Sequence, residues 1–230
     1  MKDTAKPREF TPKQMALIDK FRDINVDHCA WYDCTEELLS DTFKLLGLSP
    51  SSGIYFDIYH RHIGMELSSF RMTDILNAFD GYENLTEGDH MFWLKESECD
   101  LAVAVRSIFD VVNTRCAMAR LSQKVTDYIE DYDVNVLLSR QTSDYRQLDS
   151  DGFYNRCDDG DEEMHEALEA SLDEAVKELS PLFGDIYRYA LNSLAEEYDW
   201  ATSDEAVWET LEANEMDKDL DDGEDEYVEG

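Results

Sequence analysis

The amino-acid sequence predicts a mainly α-helical fold with a small β-sheet or hairpin, an α+β arrangement, followed by a disordered acidic C-terminal tail. Three observations predict it. Apolar residues recur at intervals of three and four over much of the 230-residue chain, the period of an amphipathic helix. One short run alone, Ile54–His60, is β-branched, aromatic and partly alternating, the pattern of a strand. The last stretch, EMDKDLDDGEDEYVEG, is acidic, with only Met216, Leu220, Tyr227 and Val228 apolar, so it has too little to bury to offset the entropy of ordering.

Pro7 and Pro12 bracket a flexible start. Thr11 then Pro12 reads as an N-cap and first helical position, opening a short helix through about Phe21 with Met15, Leu17, Ile18 and Phe21 inward. Asn25 to Trp31 is a connector. Thr35 caps a second helix, in which Leu38, Leu39, Thr42, Leu45 and Leu46 recur at helical spacing and which Gly47 ends. Ser49 to Gly53 (SPSSG) is turn chemistry. The strand Ile54–His60 follows, with a weaker one at Glu66–Arg71, and residues 80–90 form a polar loop. A long helix runs from about Glu96 to Leu121, stepped by Leu101, Val105, Ile108, Val112, Cys116 and Ala119, and continues toward Tyr128. Residues 139–160 are loop-like or extended. A helix covers Asp161–Leu179, Pro181 opens another to about Tyr198, and Ser203 caps a last one to Asn214 with Val207, Trp208 and Leu211 apolar. There is no internal repeat.

The chain has a net charge of −34, with 43% apolar and 11% aromatic residues. The charge is lopsided. Residues 1–126 hold 20 acids against 14 bases, whereas residues 127–230 hold 34 against 6. This step divides the chain into a near-neutral α+β region (1–126), an acidic helical region packed on it (127–214) and the disordered tail (215–230). Such an acidic half repels nucleic acid and anionic membrane and attracts basic protein surfaces. The attraction is screened within ~8 Å at physiological salt. Solubility alone does not require so much self-repulsion. No apolar run approaches the ~18–20 residues of a membrane span, and MKDTAKPREFTPKQ lacks the apolar core of a secretory signal. Cys29, Cys34, Cys99, Cys116 and Cys157 are odd in number and irregularly spaced, which suits reduced thiols better than a disulfide framework. The expected location is the cytoplasm.

The acids with a regular pattern are the candidate partner-binding residues. At ~100° per residue, Glu162, Glu166, Glu169 and Asp173 fall in one narrow stripe, with Met164, Leu168, Leu172, Ala175 and Leu179 on the opposite side. Neighbours in such a stripe lie ~5–6 Å apart at Cβ, a scale comparable to phosphates ~3.4 Å apart per base step along a nucleic-acid strand. Glu196, Glu197, Asp204, Glu205, Glu209 and Glu212 extend the anionic surface in support. The pattern suits occupation of a phosphate-binding groove. The alternative for any such run is a solvated helix face.

No residues suggest catalysis, and no metal or cofactor is expected. His60 and His62, two apart on one strand face, stand with His28, Cys29 and Cys34 as conceivable ligands, yet no Cys-x-x-Cys or His-Glu-x-x-His spacing accompanies them. Nothing marks any cysteine as low in pKa. Asp149-Ser150-Asp151-Gly152 and Asp158-Asp159-Gly160-Asp161 resemble calcium loops without the twelve-residue spacing and terminal glutamate of an EF-hand. There is no glycine-rich phosphate loop. Trp31, Tyr32, Trp93, Trp200 and Trp208 read as packing residues.

Two stretches carry a resemblance. Phe21-Arg22-Asp23-Ile24-Asn25-Val26-Asp27, then Trp31-Tyr32-Asp33, a helix and Ile54-Tyr55-Phe56 form the first. Leu194-Ala195-Glu196-Glu197-Tyr198-Asp199, Thr202-Ser203-Asp204-Glu205-Ala206-Val207 and Glu212-Ala213-Asn214 form the second. Together they cover roughly a third of the chain and resemble the two ends of a family of small proteins common in tailed bacteriophages and prophages, some loosely labelled antitoxin. Many members follow the strand with a Gln-Gly-Asp-Gly loop; here Asp57-Ile58-Tyr59-His60-Arg61-His62-Ile63-Gly64 stands in its place. The resemblance implies a phage origin and a bacterial host cytoplasm. Phages use acidic proteins that imitate nucleic acid to block restriction enzymes, CRISPR effectors and host polymerases. The expected function is therefore non-enzymatic inhibition of a basic, nucleic-acid-binding host or defence protein, without direct contact with nucleic acid or membrane. The alternative is an antitoxin-like or adaptor protein that grips a basic partner through hydrophobic helix faces, with charge only steering the encounter.

Overall fold

A computed structural model describes residues 8–27, 31–116, 133–137, 147–150 and 162–217. The described chain is mostly helical with small antiparallel sheets, as the sequence predicts. The expected disordered tail lies almost wholly outside the described residues, as do Cys29, His28, Cys157 and most of 139–161. Two compact units form. The first joins both chain ends, 1–34 and 194–230; the second is residues 35–193. The charge step at 126/127 therefore falls inside the second unit.

In the first unit, α1 (Pro12–Lys20) begins as predicted. Thr11 Oγ1 accepts from the Gln14 backbone N–H at 3.3 Å, and Gln14 Oε1 accepts from the Thr11 N–H at 2.8 Å, a reciprocal cap that satisfies two orphan donors. A one-turn helix, α2 (Ile24–Asp27), occupies part of the expected connector. The last helix of the unit runs Asp204–Ala213, capped by Ser203 Oγ on the Ala206 N–H at 3.3 Å, again as predicted. Its Val207, Trp208 and Leu211 pack with Ile18 into one apolar cluster, flanked by Phe10, Met15, Leu17 and Phe21.

In the second unit, α3 (Asp33–Leu45) starts three residues earlier than a cap at Thr35 would place it. Thr35, expected to cap it, lies buried in its first turn instead. Gly47 then turns the chain at φ +78°, where a Cβ would meet the Asp74 carbonyl oxygen at 2.5 Å; only glycine fits. The hairpin is β1 (Pro50–Asp57) against β2 (His62–Leu67). Both strand bounds shift toward the N-terminus. Residues 50–53 join the strand rather than a turn, because Ser52 Oγ accepts from the Glu66 N–H at 3.1 Å. His60 leaves the strand for the tip, because Asp57 Oδ1 accepts from its backbone N–H at 2.9 Å. The predicted second strand at 66–71 is two elements. Its end, β3 (Phe70–Arg71), pairs instead with β4 (Asp133–Leu137), which pairs with β5 (Gln147–Ser150). Of the two alternatives expected for 139–160, loop-like or extended, the described part (147–150) is extended.

No helix was expected between 72 and 83, yet α4 (Met72–Glu83) forms there. Met72, Ile75 and Tyr82 are buried along it, and Asp74 reaches back to the Arg71 N–H at 2.7 Å. The long helix expected from about Glu96 forms, with a start four residues later than expected. A separate single turn, α5 (Trp93–Glu96), precedes the continuous α6 (Asp100–Arg115), and residues 117–128 are outside the described set. Arg106 Nη1 donates to the carbonyls of Leu94 (2.9 Å), Lys95 (3.3 Å) and Ser97 (2.8 Å). It thereby satisfies the acceptors that the break between these two helices exposes.

The two helices expected at 161–179 and 181–198 are one, α7 (Glu162–Ala201), with Pro181 inside it; the helix at 204–213 is α8. The unit boundary at 193/194 falls within α7. Pro181 removes one backbone bond and is exposed, but Leu179, Phe183 and Ile186 on either side of it are fully buried. Their burial outweighs the ~3 kcal/mol that an interior proline costs. Phe183 lies between the rings of Phe43 (6.0 Å, interplanar 18°) and Phe70 (5.9 Å, 12°). Tyr187, one turn on, donates its hydroxyl to the Met65 carbonyl at 3.1 Å. The replacement Phe183→Ala is expected to lower unfolding free energy by ~3–5 kcal/mol, as for other buried aromatics, measured by urea denaturation.

Candidate functional site

The stripe proposed from the sequence lies on α7 within the second unit. Leu168, Leu172, Ala175 and Leu179 are buried, as expected for the opposite side. Glu166 is exposed, while Glu169 and Asp173 are half-buried; Glu162 belongs to the helix, but its side chain is outside the described part. The most exposed positions, among them Glu174, Lys177, Pro181, Arg188 and Asn192, centre about a quarter turn from the stripe at ~100° per residue. The carboxylates therefore flank the buried face rather than crown the helix. Followed toward the C-terminus, the same line meets Gly184, Tyr187 and Leu191, all buried. The stripe ends at Asp173.

Among the described residues of this segment, the cations are few and are already engaged. Between residues 162 and 217 there are 17 acids and two lysines or arginines, Lys177 and Arg188. Lys177 Nζ donates to Glu174 at 2.9 Å and Arg188 to Asp185 at 2.5 Å. Each is spent on an acid one turn away. The Lys177 contact holds the Glu174 carboxyl below its usual range. Arg115 of α6 pairs with Glu178. None of these cations pairs with Glu166 or Glu169 in these contacts.

The supporting acids lie in the first unit and do unequal things. Glu196 is exposed and Glu197 half-buried, with its Oε2 withdrawn from solvent. On α8, Glu205, Glu209 and Glu212 are spaced four and three apart and so share a face; Glu205 and Glu209 are exposed. Asp204 and Glu212, however, are ion-paired within the unit. Arg22 Nη1 reaches Asp204 Oδ1 and the Thr202 carbonyl (3.1 Å), while Nη2 reaches Asp19 Oδ1 (2.5 Å). Arg8 Nη2 donates to Glu212 Oε1 at 2.6 Å and Nη1 to Oε2 at 3.3 Å. Asn25 completes the join, donating from Nδ2 to the Ala201 carbonyl at 2.8 Å and accepting from the Thr210 hydroxyl at 2.7 Å. The sequence marks Asp204 and Glu212 only as part of the anionic surface, because nothing local shows that residues roughly two hundred positions upstream meet them.

The Arg8 seat has further walls. Its guanidinium carbon lies 5.6 Å from the ring centres of both Phe10 and Trp208, which are themselves 5.8 Å apart. Trp208 Nε1 donates to Glu212 Oε1 at 2.5 Å. The Arg8 bond, and secondarily that of Trp208, hold the Glu212 carboxyl below its ordinary value; the same bond raises Arg8.

The other sequence candidates do not assemble. His60 stands at the hairpin tip with Nδ1 2.6 Å from Asp57, and His62 faces the Tyr55 ring at 5.6 Å; they do not share a strand face. Among the described residues no three His, Cys, Asp or Glu side chains come together as a metal would require. Cys34, Cys99 and Cys116 are free thiols, and burial pushes Cys116 up to about 11, which makes it unreactive at neutral pH. Trp31 packs with Tyr32 and Tyr198, and Trp208 lies in the core. Trp200 is not a packing residue: it is 69% exposed, because Leu194 and Ala201 take the buried side of that end of α7. No helix among the described residues is long and apolar enough to cross a membrane.

Comparison with known family models, with curated proteins and with solved structures gives no match to this chain.

Two outcomes are expected in the first unit. Because Glu212 titrates lower folded than unfolded, its contribution is present above the usual carboxylate range and is lost as pH falls through its lowered value. The melting temperatures of wild type and Glu212→Gln should therefore differ at pH 7 and converge on acidification. Arg22→Ala should cost about 1 kcal/mol, at the upper end for a surface ion pair, because it removes three bonds made by one partly buried group while Asp19 and Asp204 stay open to water; chemical denaturation gives the value.

Proposed function

We propose that this protein is a non-enzymatic inhibitor that offers a fixed anionic surface, in imitation of nucleic acid, to the basic groove of a host nucleic-acid-binding or defence protein. The supporting observation is Glu166, Glu169 and Asp173 set at helical intervals on a folded helix whose apolar side is buried, in a segment whose two cations are already engaged by neighbouring acids. Carboxylates fixed in this way are pre-ordered, so a partner meets the charge without the entropy cost of ordering a loose acidic tail. The phage origin and the bacterial cytoplasm in this reading rest on the sequence resemblance at residues 21–56 and 194–214.

The alternative, a partner gripped through hydrophobic helix faces, needs an uncovered apolar face. On α7 and α8 those faces are taken up by the protein itself: Leu168, Leu172, Leu179, Val207 and Leu211 are all buried. The exposed large apolar side chains among the described residues, Tyr59, Val103 and Trp200, sit singly on three different elements.

The test is capture of partners from bacterial lysate on immobilised protein at low salt, with elution by a salt gradient and by duplex DNA. The charge-neutral triple variant Glu166→Gln/Glu169→Gln/Asp173→Asn is run beside it. Basic nucleic-acid-binding proteins should be retained, released by either eluent, and lost from the variant. Partners that stay bound in high salt and bind the variant equally well would sink the proposal and favour the adaptor reading.

A further inference from the structure

The first unit contains a seat for a guanidinium, and the chain's own Arg8 sits in it. Glu212 presents both carboxylate oxygens to the Arg8 fork at 2.6 and 3.3 Å. The Phe10 and Trp208 rings stand on the same cation at 5.6 Å each. Glu212 is fixed for this task by the Trp208 indole N–H, and Trp208 is fixed by its burial among Ile18, Val207 and Leu211. A forked carboxylate flanked by aromatic rings suits arginine more than lysine, since a planar guanidinium makes paired bonds and lies over ring faces. Glu205 and Glu209 continue the same face of α8 and are exposed.

We propose that this face of α8 is an arginine-recognition surface for a basic partner, and that Arg8 occupies it in cis as a displaceable stand-in for the partner's arginine. The proposal rests on the reading of the protein as a binder of basic surfaces and names where one contact is made. Arg8 and Glu212 are both substantially exposed, at 47% and 39% of their side-chain surface. An ion pair so exposed holds its cation only a few-fold more often than not. Arg8 therefore leaves readily. A partner bearing several arginines engages Glu205, Glu209 and Glu212 together once Arg8 has left the seat.

The test uses full-length protein and fluorescein-labelled hexa-arginine and hexa-lysine peptides at low salt, read by fluorescence anisotropy. Arg8→Ala frees the seat; by the population argument it should tighten hexa-arginine binding by about two- to sixfold. Lys20→Ala removes the same charge from α1 of the same unit and controls for net charge; it should change affinity less. Adding Glu212→Gln to Arg8→Ala should abolish the gain, while the Gln side-chain oxygen still accepts from Trp208 and keeps the core intact, which circular dichroism checks. Hexa-lysine should gain less than hexa-arginine from Arg8→Ala. If Arg8→Ala gains no more than Lys20→Ala, or if both peptides gain equally, the seat is only an internal tether and the inference falls. Salt-sensitive peptide binding would then still leave the anionic-surface reading standing. If neither peptide binds wild type or variant, both fall.

Discussion

Burial of the apolar side of α7 is the constraint on which the anionic surface depends. Like charges three or four residues apart on a helix repel by a few tenths of a kcal/mol per pair, and isolated helices in water are marginal even without that penalty. Burying one leucine or phenylalanine side chain contributes ~1.5–3 kcal/mol. Leu168, Leu172, Leu179 and Phe183, all buried, therefore outweigh the repulsion among Glu166, Glu169 and Asp173 several times over. The aromatic stack of Phe43, Phe183 and Phe70 anchors the middle of the helix, and this is also where Pro181 would otherwise break it. The charge can be dense because the helix beneath it is held from the other side.

The first unit resolves the same conflict differently. It joins segments from the two ends of the chain, and α8 carries four of the ten candidate acids. Here arginines are used as connectors: Arg22 bridges Asp19 and Asp204, and Arg8 grips Glu212. The basic residues of the near-neutral N-terminal region thus neutralise selected acids of the C-terminal region and leave Glu205 and Glu209 uncovered. The Ile18, Val207, Trp208 and Leu211 cluster supplies the apolar attraction that brings those ion pairs into register.

Much of the local structure was legible from the residues because local chemistry decides it. Thr11 with Pro12 and Gln14, and Ser203 before an acidic first turn, fix helix starts through side chains within three positions of the end they cap. Gly47 was legible because its conformation admits little else. What was missed depends on distant atoms. The helix at Met72–Glu83 has a readable spacing in Met72, Ile75, Phe79 and Tyr82, but Gly81 and Asn84 obscure it; the packing of Tyr82 on Phe109 at 4.7 Å supplies the support. The later start of α6 depends on Arg106 reaching back to three carbonyls. The union of two helices across Pro181 depends on ring stacking with residues more than a hundred positions away.

The candidate site divides along the same line. By itself the sequence determined that the acids of α7 and α8 recur with a helical period and that apolar residues oppose them, since both follow from spacing on a helix. Only the tertiary structure decided that the α7 stripe flanks the buried face and stops at Asp173, because the direction of burial is set by whichever neighbours pack there. It also decided that Asp204 and Glu212 are engaged by Arg22 and Arg8, because an ion pair is fixed by distance in space, which a helical period does not encode.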